Sequence, residues 1–482
     1  MKICKIDLIN SVNSNVASLL RDEVYNVNQF DSIDLLTSNR IDVIIKYLYV
    51  NSLLNGQGTS FYKQLYLDHI KAFNGFVEAD DTNKVGSDAF DNNIKDLLVS
   101  IKNKGFDGKH FLPISSDNVP IDGAHRLAIA LALGIKVLAF KINNAKSYCF
   151  DLKFFENRGL PTYELDHVAE QYAKIKANTY LVMVWPVASG FQNEIESILS
   201  KKGVVVYYKE IKLSINGMVN LQRKVYKNEQ WLGTYADDFE GVWLKASQCY
   251  KEDGVLRVFL YETCNDLISI KNEIRSLFNI GKHAVHINDT HEETITLSNL
   301  LFNNNSIMYL NSSKRKFLKN YNRLLEEYKS NISIFDSDCF SLIGGVMSEL
   351  GVREANDLDY ITTLEDFPNA ITNEIEKETK KTKYTNVSIS DMIFNPQYYF
   401  KIDGIKFVCP IILLEIKQRR NNDRDKEDIA YLKNVISNNS SKLSFVDNVK
   451  KFCSISYYRR RIKLFLLNIR YCIYCILYGK TK

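Results

Sequence analysis

The chain has 482 residues, 45% hydrophobic and 25% charged, which fits a folded protein of about three domains and excludes a collagenous or wholly disordered polypeptide. Its net charge of +5 sits at one end: residues 451–482 hold eight basic residues and no acid, leaving the first 450 at −3, which argues against extensive contact with a nucleic-acid backbone. The nine cysteines are scattered without disulfide or zinc spacing, Met1-Lys-Ile-Cys lacks a signal-peptide core, and no run reaches the roughly 20 apolar residues of a membrane span, so the cytoplasm is the expected location.

The first segment, about 1–155, reads as mostly helical to Gly105 and then as strand, turn, helix and strand. Its key run is Phe111 to Gly134, where an Ala/Leu-rich helix starts near Asp122 and Gly123 and is closed by Gly134. His125 and Arg126 fall in the first turn, where free N–H groups and the positive dipole end favour a phosphate, and Arg126 can fork onto its oxygens. The motif Asp122-Gly-Ala-His-Arg126, preceded by the helix Asn92 to Gly105, resembles the ParB/sulfiredoxin-like superfamily over about residues 88–142. The resemblance implies nucleotide or phosphate binding at Asp122, Gly123, His125 and Arg126. The family also includes kinases acting on free serine. Ala124 stands where sulfiredoxins carry cysteine, which counts against sulfiredoxin chemistry. The kinase members use an acidic base outside the motif, for which Glu78, Asp80 and Asp81 are candidates by composition, a solvated acidic loop being the other reading.

The second segment, about 175–312, opens on the strand Tyr180-Leu-Val-Met-Val-Trp and continues with Val204 to Lys212. Later a short strand ends at His286, followed by Asn288, Asp289 and Thr290 with helix-cap chemistry and by Glu292 and Glu293 in the first turn. A histidine at such a junction can face a cleft as nucleophile or acid. This order is similar to nucleoside diphosphate kinases, which implies a ferredoxin-like domain with His286 as the phosphorylated residue, Arg275 on the phosphate, and Asp289 and Thr290 beside it. Trp185, His283 and Ile287 depart from that family's lysine, asparagine and glycine, so a degenerate, structural version of the fold stands beside an active one. A metal reading of His283, His286 and His291 lacks a standard zinc spacing.

A charged helix, Lys314 to Lys329, leads into the third segment, about 331–440. In Leu342-Ile-Gly-Gly-Val-Met to Asp357-Leu-Asp-Tyr-Ile361, a strand runs into a double glycine, a short helix and a second strand. Alternation sets Asp357 and Asp359 side by side, where like charges call for a cation such as Mg²⁺. Gly344 and Gly345 offer backbone N–H groups to a triphosphate. The pattern resembles the nucleotidyltransferase superfamily with the polymerase-beta-type catalytic fold, and covers roughly a quarter of the chain. That resemblance implies a third carboxylate on a neighbouring strand. Asp391, ending the alternating run from Thr385, is preferred to Asp403, which with Gly404 reads as a hairpin turn. Pro410 starts a helix carrying Lys417, which in the small bacterial members of that superfamily would reach the triphosphate; an exposed face of i,i+4 charge pairs is the alternative.

The tail, 450–482, is apolar, aromatic and basic, and is read as a helix lying on an anionic membrane surface, or else as a helix docked on the protein. The expected fold is therefore α+β and multidomain: a ParB/sulfiredoxin-like domain, a ferredoxin-like middle domain and a nucleotidyltransferase-fold C-terminal domain. The expected activity is Mg²⁺-dependent nucleotidyl transfer from a nucleoside triphosphate to a small-molecule acceptor, with kinase-like domains beside it. The catalytic set is Asp357, Asp359, Asp391 and His286, the first three also holding the metal. Such an architecture resembles bacterial capsule or lipopolysaccharide enzymes at the inner face of the cytoplasmic membrane. A ParB-like nucleic-acid-binding regulator and a toxin-type nucleotidyltransferase modifying RNA or protein are the alternatives.

Overall fold

Turn residues and alternating apolar runs divide the chain into short strands and amphipathic helices, giving a mixed α+β fold with several small sheets. The computed structural model describes residues 1–78, 84–106, 111–143, 145–332 and 337–440. The basic tail, with Asp80 and Asp81, lies outside the described residues. Two compact units are present, Met1–Leu165 and Asp166–Ser440.

In the first unit, β1 (Lys2–Cys4), β2 (Val24–Phe30), β3 (Leu112–Ser115) and β4 (Val137–Ile142) form a sheet of order β1-β2-β4-β3. β3 and β4 are parallel; the other pairs are antiparallel. Strand β2, where Tyr25 and Val27 alternate inward, was not expected. Helices α1 (Ile41–Asn55), α2 (Thr59–Asn74), α3 (Ser87–Lys104) and α4 (Ala124–Leu133) bury a core of Tyr49, Tyr66, Phe90, Ile94 and Ile129. As expected, β3, α4 and β4 are the strand, helix and strand around the Asp122–Arg126 motif. Gly134, at φ 64°, closes α4 in the left-handed region that glycine enters without a steric penalty.

The second unit carries two sheets. β5 (Thr179–Val184), β6 (Val204–Ile211), β7 (Leu256–Glu262) and β8 (Val285–Ile287) pair antiparallel in the order β6-β7-β5-β8. α5 (Gln192–Lys202) links β5 to β6, and α8 (Leu267–Ser276) links β7 to β8. Both bury isoleucines and leucine against Val182, Val184, Phe259 and Val285 on one sheet face. Between β6 and β7 the chain inserts α6 (Ile215–Val225) and α7 (Glu240–Cys249). α9 (His291–Leu301) starts at Thr290, which exchanges reciprocal cap bonds with Glu293, and α10 (Asn304–Ser312) follows.

The charged helix α11 spans Lys319–Ile332 and not Lys314–Lys329. The Lys314 N–H is committed to the Leu350 carbonyl at 3.0 Å, which holds the segment before α11 out of helix. Beyond it, β9 (Phe340–Leu342), β10 (Leu358–Thr362), β11 (Ala370–Thr372), β12 (Ile375–Lys377), β13 (Tyr399–Ile402) and β14 (Ile405–Val408) form a sheet of order β11-β12-β10-β9-β14-β13. α12 (Val346–Glu349) lies between β9 and β10, and α13 (Ile389–Phe394) precedes β13. β13 and β14 form the expected hairpin, with Asp403 at φ 48° and Gly404 at φ 82° in its turn. α14 (Pro410–Arg420) begins at its proline, and α15 (Lys426–Ser440) follows. The two sheets of this unit are tied by side-chain amides: Asn303 and Asn305 donate to the carbonyls of Pro396, Gln397 and Tyr399 at 3.0–3.3 Å.

Among the described residues, no helix is long and apolar enough to cross a membrane.

Candidate functional site

The turn from β9 into α12 is moulded around Asp359. The Ile343 and Gly344 N–H groups both donate to the Asp359 carbonyl at 2.9 Å. A Cβ on Gly344 would stand 2.6 Å from the Asp359 nitrogen and 2.7 Å from its Oδ2, so only glycine fits. Gly345, at φ 74°, starts α12, and a Cβ there would meet Leu358 at 2.6 Å. Helix α12 is held by Glu349, which accepts the Tyr309 and Tyr321 hydroxyls at 2.8 and 2.6 Å. On β10, Leu358 and Tyr360 are buried on one face and half-buried Asp359 lies on the other; exposed Asp357 stands just before the strand begins. Of the two glycine N–H groups expected to face a triphosphate, that of Gly344 is spent on the strand.

Lys381 joins this face. Its ammonium contacts Asp359 and lies 3.0 Å from Glu378 Oε2. Burial raises the Asp359 carboxyl pKa, and the Lys381 charge only partly counters it. Glu376, opposite Asp359 on β12, adds an exposed carboxylate to the same face. Among the described residues no three His, Cys, Asp or Glu side chains are close enough to form a metal cluster. Asp357 and Asp359 nonetheless offer hard oxygen donors of the kind Mg²⁺ takes, and Lys381 already supplies a cation between Asp359 and Glu378.

Two expectations are corrected. Asp391 does not end a strand: it sits in the first turn of α13, where Ser388 caps its N–H at 3.0 Å and its carboxylate accepts the Ser388 hydroxyl at 2.8 Å. It does not complete a triad with Asp357 and Asp359. Lys417 is neither on a triphosphate surface nor on an exposed helix face. It is buried, with Nζ 2.9 Å from Asp425 and 2.8 Å from Asp428.

In the first unit, Asp122, Gly123, His125 and Arg126 line a cavity of about 410 Å³. Asp122 accepts the Asn13 amide at 2.9 Å, and a Cβ on Gly123, at φ 82°, would run into Leu112. Burial, then Lys46 and Lys84, hold the His125 pKa well below the ordinary imidazole value, so the ring is neutral at pH 7. Its Nε2 lies 3.0 Å from the Tyr66 hydroxyl. Arg126 has no hydrogen-bond or carboxylate partner among the described residues. The cavity is also lined by Arg40, Asp42 and Lys46, which sequence reading missed. Arg40 grips Asp42 with two bonds of 2.8 and 2.9 Å, and Lys46 adds a third at 2.7 Å. Burial would raise the Asp42 pKa; the two cations outweigh it and hold Asp42 ionised. In sequence these three look like ordinary surface charges near the start of a helix. Glu78, the described member of the acidic run, pairs with Lys84 at 3.2 Å at the same cavity.

In the middle sheet, His286 is half-buried on β8, its ring 5.1 Å from that of Tyr226. Burial, with Lys271 next, lowers its pKa to about 3, so it too is neutral. Asp289 is exposed and paired with Lys271 at 2.6 Å, and Thr290 serves as a helix cap. Arg275 reaches Asn272 at 3.4 Å, while its Nε is buried without a partner. His283 faces Lys245, and His291 bonds the Ala173 carbonyl at 2.8 Å. The three histidines thus make separate contacts, and no metal cluster arises from them among the described residues.

Glu378 and Lys381 were also missed. The sequence signal was the alternating charge run Glu374-Ile-Glu-Lys-Glu-Thr-Lys-Lys381, which local reading cannot assign to Asp359. Compared with protein families, curated proteins and solved structures, the chain finds no match.

Proposed function

We propose that this chain is a Mg²⁺-dependent nucleotidyltransferase acting at Gly344, Gly345, Asp357 and Asp359. One observation carries the reading: the Gly344 backbone lies directly against the Asp359 carboxylate, two residues after exposed Asp357. Asp357 and Asp359 would hold Mg²⁺, which when bound supplies charge neutralisation for a triphosphate. Gly344 keeps the floor of the site free of a side chain so that phosphates approach the carboxylates, and Gly345 lets α12 start close against Leu358. Lys381, paired with both Asp359 and Glu378, contributes a cation for developing charge on the leaving pyrophosphate. The acceptor hydroxyl oxygen gives up its proton to water and bonds to the α-phosphorus as the bond from that phosphorus to the bridging oxygen breaks and pyrophosphate leaves.

The acceptor is a small hydroxylated molecule, and the cavity at His125 and Arg126 is the place where such a molecule would be phosphorylated or bound. The Arg126 guanidinium, without a partner among the described residues and beside the N-terminus of α4, supports an anionic group there. The strand order β6-β7-β5-β8 is in keeping with a ferredoxin-like middle domain. The setting in this reading is activation of a building block for bacterial cell-surface polysaccharide.

The test is thermal unfolding with each of the four ribonucleoside triphosphates and Mg²⁺, on wild type and on Asp357→Asn/Asp359→Asn. Stabilisation by one triphosphate that the double variant loses is the expected result. Stabilisation that survives the substitutions moves the nucleotide to another site and sinks the reading.

A further inference from the structure

Asp359 and Glu378 hold one cation between them, and they hold it differently. The Lys381 ammonium bonds Asp359 Oδ2 and lies 3.0 Å from Glu378 Oε2. Glu378 is anchored: its backbone N–H donates to the Tyr360 carbonyl at 2.7 Å, and its Oε1 accepts the Lys380 and Lys381 backbone N–H groups, the second at 2.8 Å. Its grip on Lys381 therefore does not depend on Asp359. Asp359 pairs with no other cation among the described residues, so Lys381 alone offsets its charge. The base of the lysine arm is fixed as well. Lys381 opens the 3₁₀ turn Lys381–Tyr384, and Thr385, which follows, donates its hydroxyl to Glu415 on α14 at 3.1 Å. What is left to turn is the four-carbon stem and its ammonium.

The oxygen that Lys381 takes is the one facing the glycine turn. A Cβ on Gly344 would stand 2.7 Å from Asp359 Oδ2, so Oδ2 lies at the floor of the site. Lys381 is thus seated on an oxygen that a divalent ion would need. Two facts separate this pair from a structural lock. The Lys381 side chain is 27% exposed and that of Asp359 19%, whereas Lys417, also held by two carboxylates, is 7% exposed between acids that Arg420 and Arg353 hold too. Asp357 is exposed and forms no ion pair among the described residues, so Lys381 is the one cation seated on the two aspartates there.

We propose that Lys381 competes with the divalent ion for Asp359 and so decides when the site takes its metal. The inference rests on the nucleotidyltransferase reading of Asp357 and Asp359. An ammonium and a divalent ion repel each other and cannot share Asp359 Oδ2, so Lys381 must leave that oxygen for the ion to enter. Glu378 keeps hold of the ammonium when it does, and the stem only has to swing. A triphosphate draws the ammonium off Asp359 by its own negative charge, so the free ion is held off and the ion carried by a triphosphate is admitted. No covalent bond changes in this exchange. A unit charge at this range changes the affinity of a carboxylate for a proton by about ten- to a thousandfold, and a doubly charged ion feels it at least as strongly.

The experiment is calorimetric titration of the full chain with Mn²⁺, which takes the same oxygen ligands as Mg²⁺, after metal has been stripped and with no nucleotide present. Wild type is compared with Lys381→Met and with Lys381→Met/Asp357→Asn/Asp359→Asn. The expected result is one ion bound about tenfold more tightly, or better, by Lys381→Met than by wild type, and lost in the triple variant. Melting gives a second readout. Lys381→Met without metal melts below wild type, because Asp359 and Glu378 then face each other without a cation, and Mn²⁺ raises it more than it raises wild type. If Lys381→Met does not fold, Lys381→Gln carries the same comparison. Equal affinity in wild type and Lys381→Met, with the ion lost in the triple variant, overturns the competition and leaves the metal site standing. An ion bound by neither protein, or kept by the triple variant, overturns the competition together with the metal site of the transferase reading.

Discussion

Replacing Lys417 by methionine separates a structural lysine from a nucleotide contact. Lys417 is buried between Asp425 and Asp428, at 2.9 and 2.8 Å, and methionine keeps the stem while deleting the charge. Removing one partner of a buried ion pair costs about 3–5 kcal/mol, because the other charge stays buried and uncompensated. Two neighbours soften the loss here: Arg420 still holds Asp425 at 2.7 Å, and Arg353 still holds Asp428 at 3.0 Å from a largely exposed position. The lower end, about 3 kcal/mol, is therefore expected. At roughly 2 °C per kcal/mol for a unit of this size, the melting temperature falls by about 6 °C or somewhat more. The assay is thermal unfolding followed by circular dichroism, with and without triphosphate and Mg²⁺. A melting temperature within about 1 °C of wild type, together with loss of the triphosphate response, would refute the reasoning and return Lys417 to the nucleotide.

Asp42→Asn strips Arg40 and Lys46 of their buried counter-ion and is expected to cost about 3–5 kcal/mol, read as a lower urea midpoint; an unchanged midpoint counts against a paired triad. Gly344→Ala forces a methyl against Asp359 and is expected to destabilise by about 1–3 kcal/mol and to blunt the Mg²⁺-triphosphate response, both visible in one melting series. His69 and His286 both have folded-state pKa values of about 3, lowered first by burial. The folded state thus binds fewer protons than the unfolded one below pH 6.5, so stability falls as pH drops through that value and keeps falling towards the folded pKa. Each ring contributes about 2 kcal/mol of loss between pH 7 and pH 5. Denaturant titrations at the two pH values measure it, and His69→Gln should shallow the limb; an identical limb in that variant is the adverse result.

What was legible in the sequence was local. Strand alternation put Asp359 on the less buried face of β10, although Asp357 falls just before the strand; the Asp403-Gly404 pair gave its hairpin turn, and Pro410 opened its helix. Asp391 went astray because Val387 and Ile389 mimic a strand period, while Ser388, three residues before Asp391, is a helix cap. Lys417 went astray because an i,i+8 pairing to Asp425 is invisible to helix-face counting. Lys381 on Asp359 is a product of tertiary packing, and no spacing rule carries it.

The amides of Asn303 and Asn305, clamped on the carbonyls of Pro396, Gln397 and Tyr399, bear on how this chain can be divided or inherited. A cut near α11 would leave one fragment with buried amides stripped of acceptors and the other with carbonyls stripped of donors. Both faces would be wet, half-satisfied and prone to stick. The two sheets of the second unit are thus expected to be shuffled, lost or transplanted together, and a gene fusion that borrowed either alone would have to rebuild that seam.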